Sequence, residues 1–328
     1  MVKTATFLLL PFSCFAMDTV IADTDCGFFG DDGSAIVMLA RSPEKVKIAG
    51  ITVVSGNVWA AESAGHLREI AALLKHPEWR PVIGAQMPLF HTPAQAKLES
   101  ALEFQGAFSD PPKLAPPAAR TAVNVLADAI HAAPGQVTVL ALGPMTNIAI
   151  LLRQHPDLET KIRRLVFMGG NVHVGGNASP AAEFNFWFDP EAASVVLRSK
   201  IPEKVMFPLD ICNKAVLTKT LFDQIVAVKT PVTDRYRQDS GLRYPGFLKK
   251  QDATGYLWDE LAAAWLLDTG FVTKSETSYL DVDTRFGRTY GATVPLDRKL
   301  APDATAVRVM LDLDFARLFA LYRRLLTM

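Results

Sequence analysis

VIADTDCGFFGDDGSAIVMLA, residues 20–40, decides how the rest of the chain is read. A short apolar run, Val20 to Ala22, leads into Asp23, Asp25, Asp31 and Asp32, with Gly27, Gly30 and Gly33 set among them. The run reads as a buried strand, and Asp31 to Ala40 as a helix whose acidic first turn suits the positive end of the helix dipole. Strand, glycine-bearing loop and helix in that order open an α/β fold. Four carboxylates this close repel one another at neutral pH, so a stable fold must raise their pKa values or supply a cation. A hard, oxygen-preferring metal ion is the simpler solution; the plainer reading is a solvated acidic loop with glycine turns.

The unit recurs along the chain. Lys47 to Val54 reads as a second strand ending in Ser55-Gly56-Asn57, before a helix from about Ala60 to Leu74. QVTVLAL, residues 136–142, is a third strand, ending at Gly143-Pro144 and leading into a helix through Thr146-Asn147. A fourth strand closes with RLVFMGG, and Lys204 to Leu209 is a fifth, with Asp210 at its end. Between these, residues 76–120 are rich in proline and read as a long, partly irregular excursion. Residues 230–256 show no clean period and are assigned no structure. Late strands are expected around Tyr279 to Asp283 and Thr305 to Leu311, with a closing helix from about Phe315. The expected architecture is an open, mostly parallel, Rossmann-like sheet flanked by helices. Ligands of such sheets bind outside the carboxyl ends of the strands. Here those ends carry Asp23 and Asp25, Asn57, Leu142-Gly143, Met168-Gly169-Gly170 and Asp210.

Composition excludes several classes of function. Lysine plus arginine equal aspartate plus glutamate at 34 each, so no net charge favours nucleic acid or an anionic membrane. With 49% hydrophobic and 21% charged residues, the 328-residue chain fits an ordinary globular protein. Residues 1–16 are different: an apolar run of leader length ends in Cys14-Phe15-Ala16, too short to span a bilayer. They read as a secretory signal peptide, giving a secreted or periplasmic product, or a cytoplasmic one if Met17 is the true start. Residues 17–328 are then expected to form one domain. Its two cysteines, Cys26 and Cys212, are too few for a disulfide framework.

Five separated motifs, in order across residues 19–265, resemble one family. They are the Asp-x-Asp opening with its downstream Asp-Asp pair, ALGPMTN at 141–147, MGG at 168–170, NASPAAEFNFWFDPEAA at 177–193 and LWDELAAA at 257–264. Together they are similar to the calcium-dependent inosine-uridine-preferring nucleoside hydrolases. The resemblance implies that Asp25, Asp32 and Asp259, with the backbone carbonyl of Leu142, hold Ca²⁺. It implies that Asp31 and Asn57 contact the ribose or the surroundings of the nucleophile. Asn177, Glu183 and Asn185 would bind sugar hydroxyls, and Met168 would line the sugar pocket. Asp25 is implied as the base, with Asp31 and Asn185 beside it in catalysis. The implied partner is a small-molecule ribonucleoside, with no nucleic acid and no membrane once the leader is cleaved; homo-oligomerisation is left open.

Two departures from the family pattern stand out. Family members often read Asp-x-Asp-Pro-Gly-x-Asp-Asp, whereas this chain carries two more residues, through Phe28 and Phe29, between its second and third aspartates. Trp258 occupies the position before the last aspartate where inosine-uridine enzymes tend to have histidine and purine-preferring members tryptophan, so a purine preference is expected. Trp258 is otherwise a helix-face core residue. His173 could give a proton to the base, though a lone loop histidine is more often a solvated bystander. Two rivals remain. Asp23-Thr24-Asp25 after a strand also resembles the nucleophile motif of haloacid-dehalogenase-type phosphatases, but Cys26-Gly27 follows where that family has threonine or valine. A secreted nucleoside-binding protein would use the same contacts without catalysis.

Overall fold

A computed structural model describes residues 17–99, 106–110, 112–116, 118–243, 249–250, 252–299 and 301–328. The leader reading of residues 1–16 lies outside them. The central sheet contains β1 (Asp18–Thr24), β2 (Val46–Val53), β3 (Val82–Ile83), β4 (Val137–Ala141), β5 (Arg164–Met168), β6 (Lys204–Phe207), and three later strands. β7 (Val216–Thr218) and β8 (Thr254–Tyr256) form a separate antiparallel pair. The later strands are β9 (Val272–Val282), β10 (Thr293–Pro295) and β11 (Ala306–Leu313). The order is β10-β9-β11-β6-β5-β4-β1-β2-β3. From β3 to β11 all neighbours are parallel; β9 and β10 extend the sheet antiparallel.

Side chains of the central strands alternate between two cores, as the pleat requires. Val20, Ala22, Leu140, Leu142, Val166 and Met168 face one cluster. Ile21, Val139, Ala141, Leu165 and Phe167 face the other. The first face is covered by helices Asp31–Ala40, Ala60–Leu73, Asp259–Leu267 and Phe315–Thr327, and the second by Ala122–Ala132, Thr146–Gln154 and Pro190–Leu197. Both faces being buried explains the nearly unbroken apolar runs that made these strands readable. Pro190 opens its helix, and Asp189 caps it by accepting from the Ala192 amide at 3.0 Å.

The strand order places a switch point at β1. The chain leaves β1 for β2 on one side and reaches β4 on the other, so the crossovers diverge and leave a crevice at the carboxyl ends of β1 and β4. The region without a sequence period holds helix Pro231–Arg243 and β8. The proline-rich excursion contributes β3, a short helix Pro93–Glu99 and a 3-10 turn Gly106–Ser109.

Candidate active site

Asp23 is the penultimate residue of β1, in register with Thr52 of β2 and Ala141 of β4. Its Oδ1 accepts from the Thr52 hydroxyl at 2.5 Å and from Asn147 Nδ2 at 2.8 Å, while Oδ2 is buried with no partner among the described residues. Burial, partly offset by those two bonds, pushes its carboxyl up to about 6. Asp25, fully buried, lies just past the strand end, with Oδ2 accepting the Asn57 amide at 2.6 Å and Oδ1 the Asn57 Nδ2 at 3.3 Å. Glycine is required around it: a Cβ on Gly56 would stand 2.0 Å from Asp25 Oδ2, and one on Gly143 2.9 Å from its Cγ. Burial, with added repulsion from Asp31 and Glu183, lifts Asp25 to about 7.

Asp31, Asp32 and Asp259 form a second group, with one oxygen of each within 4.8 Å of the others. Asp31 and Asp32 occupy the first turn of helix Asp31–Ala40, and Asp259 that of helix Asp259–Leu267, which packs against it. Two helix N-termini thus bring their positive ends to the same place. Thr24 donates its hydroxyl to Asp32. Burial raises Asp32 and Asp259 well above the usual carboxylate range, followed by repulsion from neighbouring carboxylates. Glu260, also buried, accepts from the Trp258 amide at 3.0 Å and is pushed up to about 8 by burial and then by Asp31. An all-oxygen set of mutually repelling carboxylates, Asp32 and Asp259 buried and Asp31 half-buried, suits a hard divalent cation. The group brings Asp31 in alongside Asp32 and Asp259, with Asp25 adjacent.

The sugar-side candidates gather around the ends of β4 and β5. Glu183 caps the short helix Phe184–Phe188, accepting from the amides of Gly170 at 2.7 Å, Asn185 at 2.9 Å and Phe186 at 3.1 Å. Burial nevertheless raises it to about 7. Asn185 donates Nδ2 to the carbonyls of Leu142 at 2.9 Å and Met168 at 3.2 Å, so one side chain ties the ends of both strands. The Leu142 carbonyl retains a second lone pair. Asn177 is exposed and accepts the Phe184 amide at 2.8 Å. Asp210 organises the loop before it by accepting from Val172 and His173 amides at 2.8 and 2.7 Å.

Trp258 is half-buried immediately before Asp259; its ring lies 6.1 Å from Tyr256 at 29°, and its indole nitrogen is buried without a partner among the described residues. His173 is exposed, 3.0 Å from Glu276 on β9. Sequence reasoning missed Glu260 and the role of Asn147. Glu260 could have been found as a second acid in the same helical first turn. Asn147 sat inside a quoted motif but carried no charge to mark it as the support of Asp23.

The chain is similar to known proteins along nearly its whole length. A family model described as inosine-uridine preferring nucleoside hydrolase matches residues 20–320. The chain is 33% identical over 302 residues to a pyrimidine-specific ribonucleoside hydrolase, RihA, of Salmonella enteritidis, covering 90% of this chain and 94% of that one. A solved inosine-guanosine nucleoside hydrolase aligns at 25% identity with a TM-score of 0.79, covering 94% and 98% of the two chains. The inosine-uridine preferring nucleoside hydrolase of Bacillus anthracis aligns at 26% identity with a TM-score of 0.72, covering 95% and 99%. Matched along nearly its full length, and carrying acidic residues at the carboxyl ends of its strands, the chain belongs to the inosine-uridine preferring nucleoside hydrolase family of N-glycosyl hydrolases.

Proposed function

We propose that this hydrolase releases the base from ribonucleosides using Asp25 as general base beside a Ca²⁺ site formed by Asp25, Asp32, Asp259 and the Leu142 carbonyl, with purine nucleosides preferred. The observation carrying this reading is the convergence of Asp25 with Asp31, Asp32 and Asp259 at the switch point. Asp31, which shares that cluster, belongs either to the ion's surroundings or to the ribose, and the donor set suits both. Bound Ca²⁺ would supply charge compensation and a coordination sphere wide enough for ribose hydroxyls and a water.

Cleavage of an N-glycosidic bond passes through an oxocarbenium-like sugar. The water oxygen forms a bond to C1′ while the C1′–N bond breaks and its electron pair moves to the base. Asp25, held by both nitrogens of Asn57, takes the water proton, and the base gains one from solvent. Glu183, Asn177 and Asn185 bind sugar hydroxyls, and Met168 lines the pocket. The surrounding carboxylates offset positive charge growing on the sugar.

The purine preference rests on Trp258, half-exposed beside the carboxylates with Tyr256 stacked on it. Stacking on a base is worth about 1–3 kcal/mol and favours the larger ring system. A pyrimidine preference is the second reading, favoured by the pyrimidine-specific relative at 33% identity. Rates on inosine, guanosine, uridine and cytidine, without phosphate and with free base and ribose as products, decide between them. Activity that demands phosphate would mean phosphorolysis and would end the proposal.

A further inference from the structure

Helix Pro231–Arg243 buries a stripe at helical spacing, Val232, Thr233, Tyr236, Asp239 and Ser240. Asp239 is 6% exposed and accepts the backbone amide of Phe29 at 2.9 Å. The same carboxylate is bound by Arg235 Nε at 2.8 Å, and Arg235 reaches Glu69 at 2.9 Å. The fully buried Phe29 ring lies 5.7 Å from that of Tyr236. Tyr236 accepts from the Tyr322 hydroxyl at 3.0 Å, and Tyr322 lies 3.3 Å from Ser34 Oγ. One helix therefore holds the chain on both sides of the Asp31–Asp32 pair, directly at Phe29 and through Tyr322 at Ser34.

The loop through Phe28 and Phe29 is two residues longer than the pattern the resemblance gives. A longer loop has more conformational freedom to lose on ordering, and its aspartates repel one another. The Phe29 amide is buried and would be an orphan donor without Asp239. We infer that Asp239 is a positioning residue for the carboxylate site: by binding the Phe29 amide it fastens the lengthened loop to helix Pro231–Arg243 and fixes Asp31 and Asp32 for a divalent cation. The last clause rests on the proposed Ca²⁺ site; the fastening does not.

Amide exchange on the full-length, metal-free protein tests the fastening. In Asp239→Ala, residues 26–34 exchange at least about tenfold faster than in wild type, with Val137–Ala141 unchanged. Asp239→Asn, which keeps an oxygen acceptor, restores most of the protection. Arg235→Gln leaves the acceptor in place and keeps residues 26–34 protected; loss of protection there overturns the assignment even if Asp239→Ala fails to fold. Calorimetric Ca²⁺ titration tests the positioning: Asp239→Ala raises the dissociation constant about tenfold, while kcat at saturating Ca²⁺ stays near wild type. Unchanged exchange at 26–34 refutes the fastening, and faster exchange with unchanged Ca²⁺ affinity refutes the positioning. Wild-type protein that binds no Ca²⁺ refutes the metal reading, while accelerated exchange in Asp239→Ala would still uphold the fastening.

Discussion

Cation binding to this site should expel protons. Asp25 is held up to about 7 by burial and by repulsion from Asp31 and Glu183, and burial carries Asp32 and Asp259 well above the usual range. At pH 6 a carboxyl with a pKa of about 7 is roughly nine-tenths protonated, so an ion taking up Asp25 alone releases about one proton, and the other two ligands add to it. Between pH 6 and 7 the ionisation of Asp25 alone therefore raises the Ca²⁺ affinity about fivefold, and proton loss from the other two ligands steepens the rise. Calorimetry in buffers of different ionisation enthalpy counts the protons directly. An affinity equal at pH 6 and pH 8, with a heat independent of buffer, would refute the reasoning.

The remaining predictions follow from the same geometry. Folded-state values above the unfolded ones mean the metal-free protein holds extra protons between about pH 4 and pH 8, so its stability is full on the acid side and falls as pH rises; saturating Ca²⁺ should flatten that slope in denaturant melts. Gly56→Ala puts a methyl group against Asp25 and should lower kcat about 100-fold, with stability reduced by about 1–3 kcal/mol. A wild-type kcat there would mean Asp25 is not the base. Trp258→Ala should cost inosine more than uridine in kcat/KM; equal losses would assign the indole to packing alone.

Legibility followed chemistry that is local in sequence. Strands β1, β4, β5 and β6 were readable because a sheet buried on both faces makes apolar runs, and their ends could be lined up because parallel strands share a direction. Helix Pro231–Arg243 escaped because its buried stripe contains Thr233, Asp239 and Ser240, so burial has a helical period while hydrophobicity does not. The clustering of carboxylates in the loop was legible, but the bond from the Phe29 amide to Asp239 was not, because the two residues lie 210 positions apart. Nor could spacing reveal that Asn185 bridges the Leu142 and Met168 carbonyls, since the bond depends on two strand ends meeting one short helix. The expectation that the Leu142 carbonyl serves as a ligand rests on family resemblance alone, because a backbone carbonyl leaves no mark on residue identity.

The most direct measurement follows free base and ribose from inosine in phosphate-free buffer, first with the protein stripped by chelator and then across a Ca²⁺ titration. The account predicts negligible release from the stripped enzyme and recovery that tracks Ca²⁺ occupancy. Full activity in the stripped enzyme, or no base release at saturating Ca²⁺ from any ribonucleoside, would contradict it.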